Sequence, residues 1–144
     1  MTPTVAVKLD DARAMPLRAH ATDAGADLFS SSDIDIYPKD MKLIDTGVSV
    51  KIPVNHVGLV YNRSSQGKIQ VCIPHAVGVI DSDYRGNIKV LLKNNGEDPY
   101  FIKRYDTRIA QLVIVPVILA KFETTTEPWH DTDRDTGGFG STNT

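Results

Sequence analysis

The stretch IAQLVIVP, residues Ile109 to Pro116, decides between a helix and a strand and so bears on the fold class. Its periodicity alone is compatible with a buried helical segment. Val113, Ile114 and Val115 are β-branched, however, and Pro116 ends the run because proline does not continue a helix. We therefore predict a buried strand here.

Further apolar runs of strand length lie on the N-terminal side of this stretch. Residues Val48 to Ile52 alternate apolar and polar side chains, which is typical of a half-buried strand. Turn-forming clusters such as KNNGEDP, Lys93 to Pro99, separate the runs. The other predicted strands are Val5 to Leu9, Val57 to Tyr61, Ile69 to Ile73 and Asn87 to Leu92. Their spacing predicts an all-β fold, a jelly-roll-like barrel or sandwich.

The chain has the length of one domain, at 144 residues. From Thr124 onward Thr, Asp, Gly and Ser replace most apolar residues, which is typical of an exposed tail. We therefore predict a jelly-roll core over residues 1–123 and a flexible C-terminal arm over residues 124–144.

The net charge and the cysteine content limit which binding partners and which cellular compartment we expect. A formal net charge of -2 gives no broad basic footprint, so duplex nucleic acid is not an expected partner. The N-terminus lacks the apolar core of a signal peptide, and no stretch approaches the length of a membrane span. Cys72 is the only cysteine, which excludes an intrachain disulfide. We expect a cytoplasmic or other reducing intracellular location, no membrane contact, and Cys72 in the core.

The segment GVIDSDYRG, residues Gly78 to Gly86, has two interpretations. Asp, Ser and Gly are ordinary turn residues and would close a hairpin between Val77 to Ile80 and Ile88 to Leu92. Alternatively, Asp81 lies where a rigid strand passes into a loop, and such a position holds a carboxylate still for chemistry. The segment alone leaves both interpretations open.

The arm contains a second segment with two interpretations, DRDTGGFGST, residues Asp133 to Thr142. It is either a solvated, disordered terminus or a lid over a phosphorylated ligand. Glycines let backbone N–H groups turn toward an anion, hydroxyls and Arg134 add donors, and Phe139 offers a ring to a flat base. It is not a P-loop, because neither a Lys nor a helix follows the last glycine.

Five stretches in order resemble the five motifs of the trimeric deoxyuridine triphosphatase (dUTPase) family. They are Asp23 to Leu28, Arg63 to Gly67, Gly78 to Gly86, Arg108 to Leu112 and Arg134 to Thr142. The resemblance implies a jelly-roll subunit that forms a homotrimer with active sites at the subunit interfaces. It also implies hydrolysis of dUTP to dUMP and pyrophosphate, with Mg²⁺ as cofactor.

The resemblance assigns roles to individual residues. Asp81 matches the general base that activates a water for attack on the α-phosphate, and Tyr84 matches the residue that packs on deoxyribose. Backbone groups of the third motif, including Gly78 and Ile80, would read uracil. Asp27 matches an acid in the outer shell of Mg²⁺, although it could equally cap a local turn. The other implied substrate contacts are Arg63, Ser64, Ser65, Gln111, Arg134, Phe139, Gly140, Ser141 and Thr142.

The sequence departs from the family at several positions. His75 stands where many relatives carry Asn, and Gln66 replaces a common apolar residue. Asp135 and Asn143 stand where Gly is frequent, so we expect weaker closure of the arm. Arg108 and Asp83 are expected to be structural.

Two other functions are compatible with parts of this pattern. A dCTP deaminase shares the architecture and an Arg-Ser-Ser motif, but such enzymes use a Glu on the strand after the third motif. Residues Asn87 to Lys93 contain none. A nucleotide-sensing or partner-binding protein on the same fold is the other alternative, which the departures at His75 and Asp135 keep open.

Overall fold

Two four-stranded antiparallel sheets pack face to face in the computed structural model, which describes residues 2–129 and 132–140. The strands are β1 (Ala6–Leu9), β2 (Ala26–Phe29), β3 (Ile34–Ile36), β4 (Met41–Lys51), β5 (His56–Tyr61), β6 (Val71–Cys72), β7 (Gly78–Ile80), β8 (Asn87–Asn94), β9 (Tyr100–Ile102) and β10 (Arg108–Pro116). A 3-10 turn (Ala12–Ala14) and a short helix α1 (Ser64–Lys68) complete the described elements.

The first sheet has the order β1-β4-β8-β6, and the second has the order β2-β10-β5-β7. Strands β3 and β9 form a separate pair. The core lies between the sheets because alternate residues of each strand point inward. In β8, for example, Ile88, Val90 and Leu92 are buried while Lys89 is exposed. The all-β prediction is confirmed.

Residues Ile109 to Pro116 form a strand, as predicted, within β10, which lies in the interior of the second sheet between β2 and β5. The runs at residues 5–9, 48–52, 57–61 and 87–92 also form strands. The run at 69–73 is a strand only at Val71–Cys72, since α1 and a left-handed Gln70 precede it. The short strands β2, β3 and β9 were not predicted from the sequence.

The hairpin interpretation of residues 78–86 is wrong. Strand β7 pairs with β5 in the second sheet, whereas β8 pairs with β4 and β6 in the first. Residues Asp81 to Gly86 therefore cross from one sheet to the other. A local pattern of strand, turn and strand does not specify which sheet each strand joins.

The prediction for Cys72 is also wrong. It lies on the edge strand β6 and is half-buried, with the side-chain amide of Asn95 donating to its sulfur at 3.2 Å. The apolar neighbours of Cys72 in sequence are inward-facing, and alternation turns the thiol to the outer face of the sheet.

The segment from Val117 to Trp129 contains no helix or strand. Its first residue is held by the carbonyl of Asn55, at 2.8 Å, and its large apolar side chains point into solvent. Ile118 is 90% exposed, Phe122 94% and Trp129 88%. Neither helix within the described residues has the length and apolar character that a membrane crossing requires.

Candidate active site

A cavity of about 180 Å³ lies where the chain crosses between the sheets. It is lined by Val79, Ile80, Asp81, Tyr84 and Lys89. The end of β7 supplies the first two residues, the crossing loop the next two, and β8 the last. Asp81 is exposed and, within residues 2–129 and 132–140, takes part in no ion pair, so its carboxylate can accept a proton or a hydrogen bond from a ligand.

The crossing loop is held by its own hydrogen bonds. The backbone N–H of Tyr84 donates to the carbonyl of Asp81 at 3.1 Å, and the Tyr84 hydroxyl donates to the carbonyl of Asn87 at 2.9 Å. Arg85 Nη1 donates to the carbonyls of Ser82 and Tyr84, at 2.7 and 3.0 Å. These bonds fix the Tyr84 ring beside Asp81. Gly86 leaves space for that ring, since a Cβ there would lie 2.8 Å from Tyr84 Cζ.

Lys89 also lines this cavity, but it was not predicted as a site residue from the sequence. Alternation along β8 places Lys89 on the outer face, between the buried Ile88 and Val90. The alternation along β8 can be read from the sequence, but the position of β8 beside the crossing loop cannot. Asp83 is exposed and does not line this cavity.

A second group of polar residues gathers around Asp27 on β2. The carboxylate oxygens accept from Arg63 Nε at 2.8 Å and from Arg108 Nη1 at 3.0 Å. The Asp27 side chain is 14% exposed and the two arginine side chains are 28% and 35% exposed. The structure thus brings the first, second and fourth motifs together through one carboxylate. Ser64 and Ser65 follow Arg63 in α1 and are exposed.

Gln111 lies opposite Asp27 in the register between β10 and β2. Its Nε2 donates to the carbonyl of Asn62 at 2.9 Å. Gly25 leaves the space that this side chain occupies, because a Cβ there would lie 3.0 Å from Gln111 Cδ and would overlap Oε1. Gly25 does not have a left-handed φ. Glycine is therefore needed at this position for the space that a side chain would fill, and not for its backbone conformation.

The segment leading to Gly25 is anchored at Asp23. The backbone N–H of His20 donates to the Asp23 carboxylate at 2.9 Å, and this bond lowers the pKa of that carboxyl. Arg18 Nε donates to the carbonyl of Asp23 at 2.8 Å. Both bonds stabilise the turn before β2.

Two of the departures from the family pattern have a local explanation. His75 is exposed, and its Nδ1 lies 3.0 Å from the carbonyl of Val77, a contact within its own turn. Asp135 adopts a left-handed φ of 45°. That conformation favours glycine, and Asp is one of the few other residues that tolerate it.

The predicted residues of the arm lie apart from both groups. Arg134 Nε donates to the carbonyl of Gly137 at 3.0 Å, and Phe139 is fully exposed. Gly140 has a φ of 72°, which suits glycine. Ser141, Thr142 and Asn143 lie outside the described residues.

The Asp81 cavity and the Asp27 group lie on opposite sides of β5. Ile80, next to Asp81, pairs with Gly58 in the middle of β5, and Gln111 pairs with Tyr61 at its end. Three residues of strand correspond to about 10 Å along β5, and β7 and β10 flank it, which adds about 10 Å across the sheet. The Asp81 cavity and the Asp27 group are therefore two separate clusters on one chain.

Comparisons with known proteins agree with one another. The dUTPase family model matches residues 11–143. The deoxyuridine 5'-triphosphate nucleotidohydrolase of Cutibacterium acnes is 46% identical, covering 99% of this chain and 91% of the relative. The corresponding protein of Corynebacterium glutamicum is 45% identical, with coverages of 94% and 91%.

Solved structures give the same result at the level of the fold. The dUTPase of Staphylococcus bacteriophage 80alpha with dUPNHPP superposes with a TM-score of 0.86 at 32% identity, covering 99% of this chain and 100% of that chain. A dUTPase variant from phage phi11 of S. aureus, described for the coordination of a structural Mg(II) ion, has a TM-score of 0.79 at 31% identity. The match covers 87% of this chain and 98% of that one.

Proposed function

Because this chain belongs to the dUTPase family, we propose that it is a dUTP diphosphatase that produces dUMP and pyrophosphate, with Asp81 as the general base. The observation that carries the proposal is the cavity shared by Asp81 and Tyr84 on a loop braced by its own hydrogen bonds. A carboxylate on a braced loop, beside a cavity of about 180 Å³, suits a reaction at the α-phosphate of a bound nucleotide.

Asp81 would accept a proton from a water molecule as that water attacks the α-phosphorus. The proton moves to the carboxylate, the new P–O bond forms, and the bond to the bridging oxygen of pyrophosphate breaks. A positioned general base contributes roughly 10²–10⁴-fold to such a step.

Tyr84 and the end of β7 would select the nucleoside. The Tyr84 ring, fixed by its bond to Asn87, would pack on deoxyribose and leave no room for a 2′-hydroxyl. Ile80 lines the same cavity and Gly78 lies two residues before it on β7, and their backbone groups would supply fixed donors and acceptors to uracil. Exchange of the Ile80 side chain would therefore alter base selection less than a shift of the backbone.

The Asp27 group would bind the phosphate chain. Arg63, Ser64, Ser65 and Gln111 supply cationic and neutral donors, which stabilise the charge that grows on the leaving pyrophosphate. Asp27 holds Arg63 in place, and its oxygens retain lone pairs for a water bound to Mg²⁺.

The described residues fit a magnesium ion that arrives with its substrate. They contain no group of three or more His, Cys, Asp or Glu side chains that would hold a metal alone. Mg²⁺ usually keeps several waters and takes its other ligands from phosphate oxygens. When bound, the ion neutralises phosphate charge, and Asp27 is the residue we assign to its outer shell.

We assign the complete site to an interface between copies of the chain in a homotrimer. Asp81 and Gln111 lie on opposite sides of β5 in one chain, and we assign the second group at each site to a neighbouring copy. The arm would close over the bound nucleotide with Arg134, Phe139, Gly140, Ser141 and Thr142. The segment from Val117 to Trp129, with its exposed apolar side chains, would lead the arm to the chain whose site it covers.

Pyrophosphate release by the purified chain with Mg²⁺ tests the proposal, with dUTP, dCTP, dTTP and UTP compared under matched conditions. Rapid release from dUTP alone is expected. Equal release from UTP would contradict the role of Tyr84, and release from none of the four, with dUTP bound, would indicate a nucleotide sensor instead.

A further inference from the structure

Gln66 is the only buried residue of α1, with 2% of its surface exposed. A buried carboxamide destabilises the fold unless its donors and acceptor find partners. Oε1 accepts from the backbone N–H of Arg63 at 3.0 Å, and Nε2 donates to the carbonyl of Ile109 at 2.8 Å. The side chain thus links the segment after β5 to β10.

Its partner on β10, Ile109, is the extra residue of a β-bulge. Arg108 pairs with Phe29 and Ala110 with Leu28, so Ile109 has no partner residue on β2. On the other side, β10 pairs with β5 only from Gln111 onward. Neither neighbouring strand provides a partner residue for Ile109, and the Gln66 amide satisfies its carbonyl.

The bulge determines which way two site residues point. In a regular strand successive side chains alternate, so Arg108 and Gln111, three positions apart, would face opposite sides of the sheet. An extra residue shifts this alternation by one. Ile109 and Ala110 are accordingly both buried, and Arg108 and Gln111 lie on the same face as Asp27.

We propose that Gln66 is a positioning residue that holds this bulge and so keeps Arg108 and Gln111 on the phosphate-binding face of β10. The hydrogen bond from the Arg63 N–H to Gln66 Oε1 also fixes the backbone of Arg63, and the Arg63 guanidinium pairs with Asp27 on that face. One side chain therefore sets the relative position of the second and fourth motifs. The phosphate-binding part of this role rests on the proposed function, whereas the bulge concerns the chain alone.

Hydrogen exchange in the nucleotide-free protein tests the structural part. Gln66→Met keeps the length of the side chain and removes both polar groups. We expect the Arg63 amide to exchange about tenfold faster or more, because its N–H loses its partner. Lys68→Met, an exposed position of the same helix, is the matched control and should leave that rate unchanged. Unchanged exchange in folded Gln66→Met would overturn the proposal.

Kinetics test the positioning role. At a temperature well below unfolding, we expect kcat for dUTP to fall about 10- to 100-fold in Gln66→Met, as for other small displacements of binding groups. In a Gln111→Ala background, Gln66→Met should lower kcat by a much smaller factor, because Gln66 acts through the strand that carries Gln111. If Gln66→Met and Gln111→Ala lower kcat by independent factors that multiply in the double variant, the positioning role is contradicted. An unchanged kcat in Gln66→Met would also contradict it.

A second variant covers the case in which Gln66→Met does not fold. Gln66→Glu retains an acceptor for Arg63 but removes the donor to Ile109. It should preserve exchange protection at Arg63 and still lower kcat, and wild-type kcat in this variant would overturn the proposal. If the wild-type chain releases no pyrophosphate, the proposed function fails, and the exchange rate of Arg63 still decides whether Gln66 holds this region.

Discussion

At the scale of single residues, Asp81 is the group to which we assign the proton transfer. Asp81→Asn keeps the size of the side chain and removes its basicity, so we expect dUTP binding to persist and turnover to fall by about 10²–10⁴-fold. Nucleotide titration and pyrophosphate release measure the two quantities separately. Asp83→Asn is the matched control in the same loop, and near-normal turnover of Asp81→Asn would remove it from this role.

Gly25 gives a second prediction at this scale. Alanine suits the backbone there, but its Cβ would overlap the Gln111 carboxamide. We expect Gly25→Ala to displace Gln111 and lower kcat for dUTP by about tenfold or more, with the fold retained. Gly67→Ala is the control, because a Cβ at Gly67 meets nothing within 4 Å. Normal kcat in Gly25→Ala would show that Gln111 does not depend on this space.

The sequence and the family resemblance predicted Asp81, Tyr84 and Arg63 as site residues, but they did not predict the residues that hold them in place. Asp81, Tyr84 and Arg63 stand out because charged and aromatic groups follow strand ends or glycines. Lys89 and Gln66 do not, because their environment depends on which strands become neighbours. A buried Gln in a five-residue helix resembles a surface residue until β10 packs against it.

At the scale of elements, the C-terminal arm can be tested by deletion. Strands β1 to β10 end at Pro116, so removal of Arg134 to Thr144 should leave the two sheets intact. We expect an unchanged circular dichroism spectrum and little pyrophosphate release, because the deletion removes the donors and ring assigned to the lid. Full activity after deletion would refute the lid.

Sequence patterns predicted the long elements better than the short ones. Strand β10 has enough β-branched residues to exclude a helix, and β8 alternates over eight residues. Strands β3 and β9 have three residues each, too few for a periodic signal, and their pairing with each other is what makes them strands. The crossing between sheets at Asp81 to Gly86 was missed for the same reason, since pairing is not local.

At the scale of the whole molecule, subunit mixing tests the shared site. Asp81→Asn and Gln111→Ala should each be weakly active alone. If the two groups come from different chains, co-refolding them in equal amounts creates sites with an intact Asp81 from one variant and an intact Gln111 from the other. Random assembly gives about a quarter of such sites, and activity should recover accordingly.

The matched control for mixing is a combination of Asp81→Asn with the double variant Asp81→Asn/Gln111→Ala, which contains no intact Asp81. That mixture should remain inactive. If the first mixture also shows no gain, although its chains exchange, both groups act from one chain and the interface assignment is wrong.

The single tryptophan of the chain, Trp129, lies in the arm segment and is almost fully exposed. Its position makes the protein its own optical reporter, because indole emits at shorter wavelength when it leaves water. A blue shift on concentrating the protein would record the arm meeting another chain, and a shift on adding nucleotide would record closure. Fluorescence could thus follow assembly and substrate capture in real time without any attached dye.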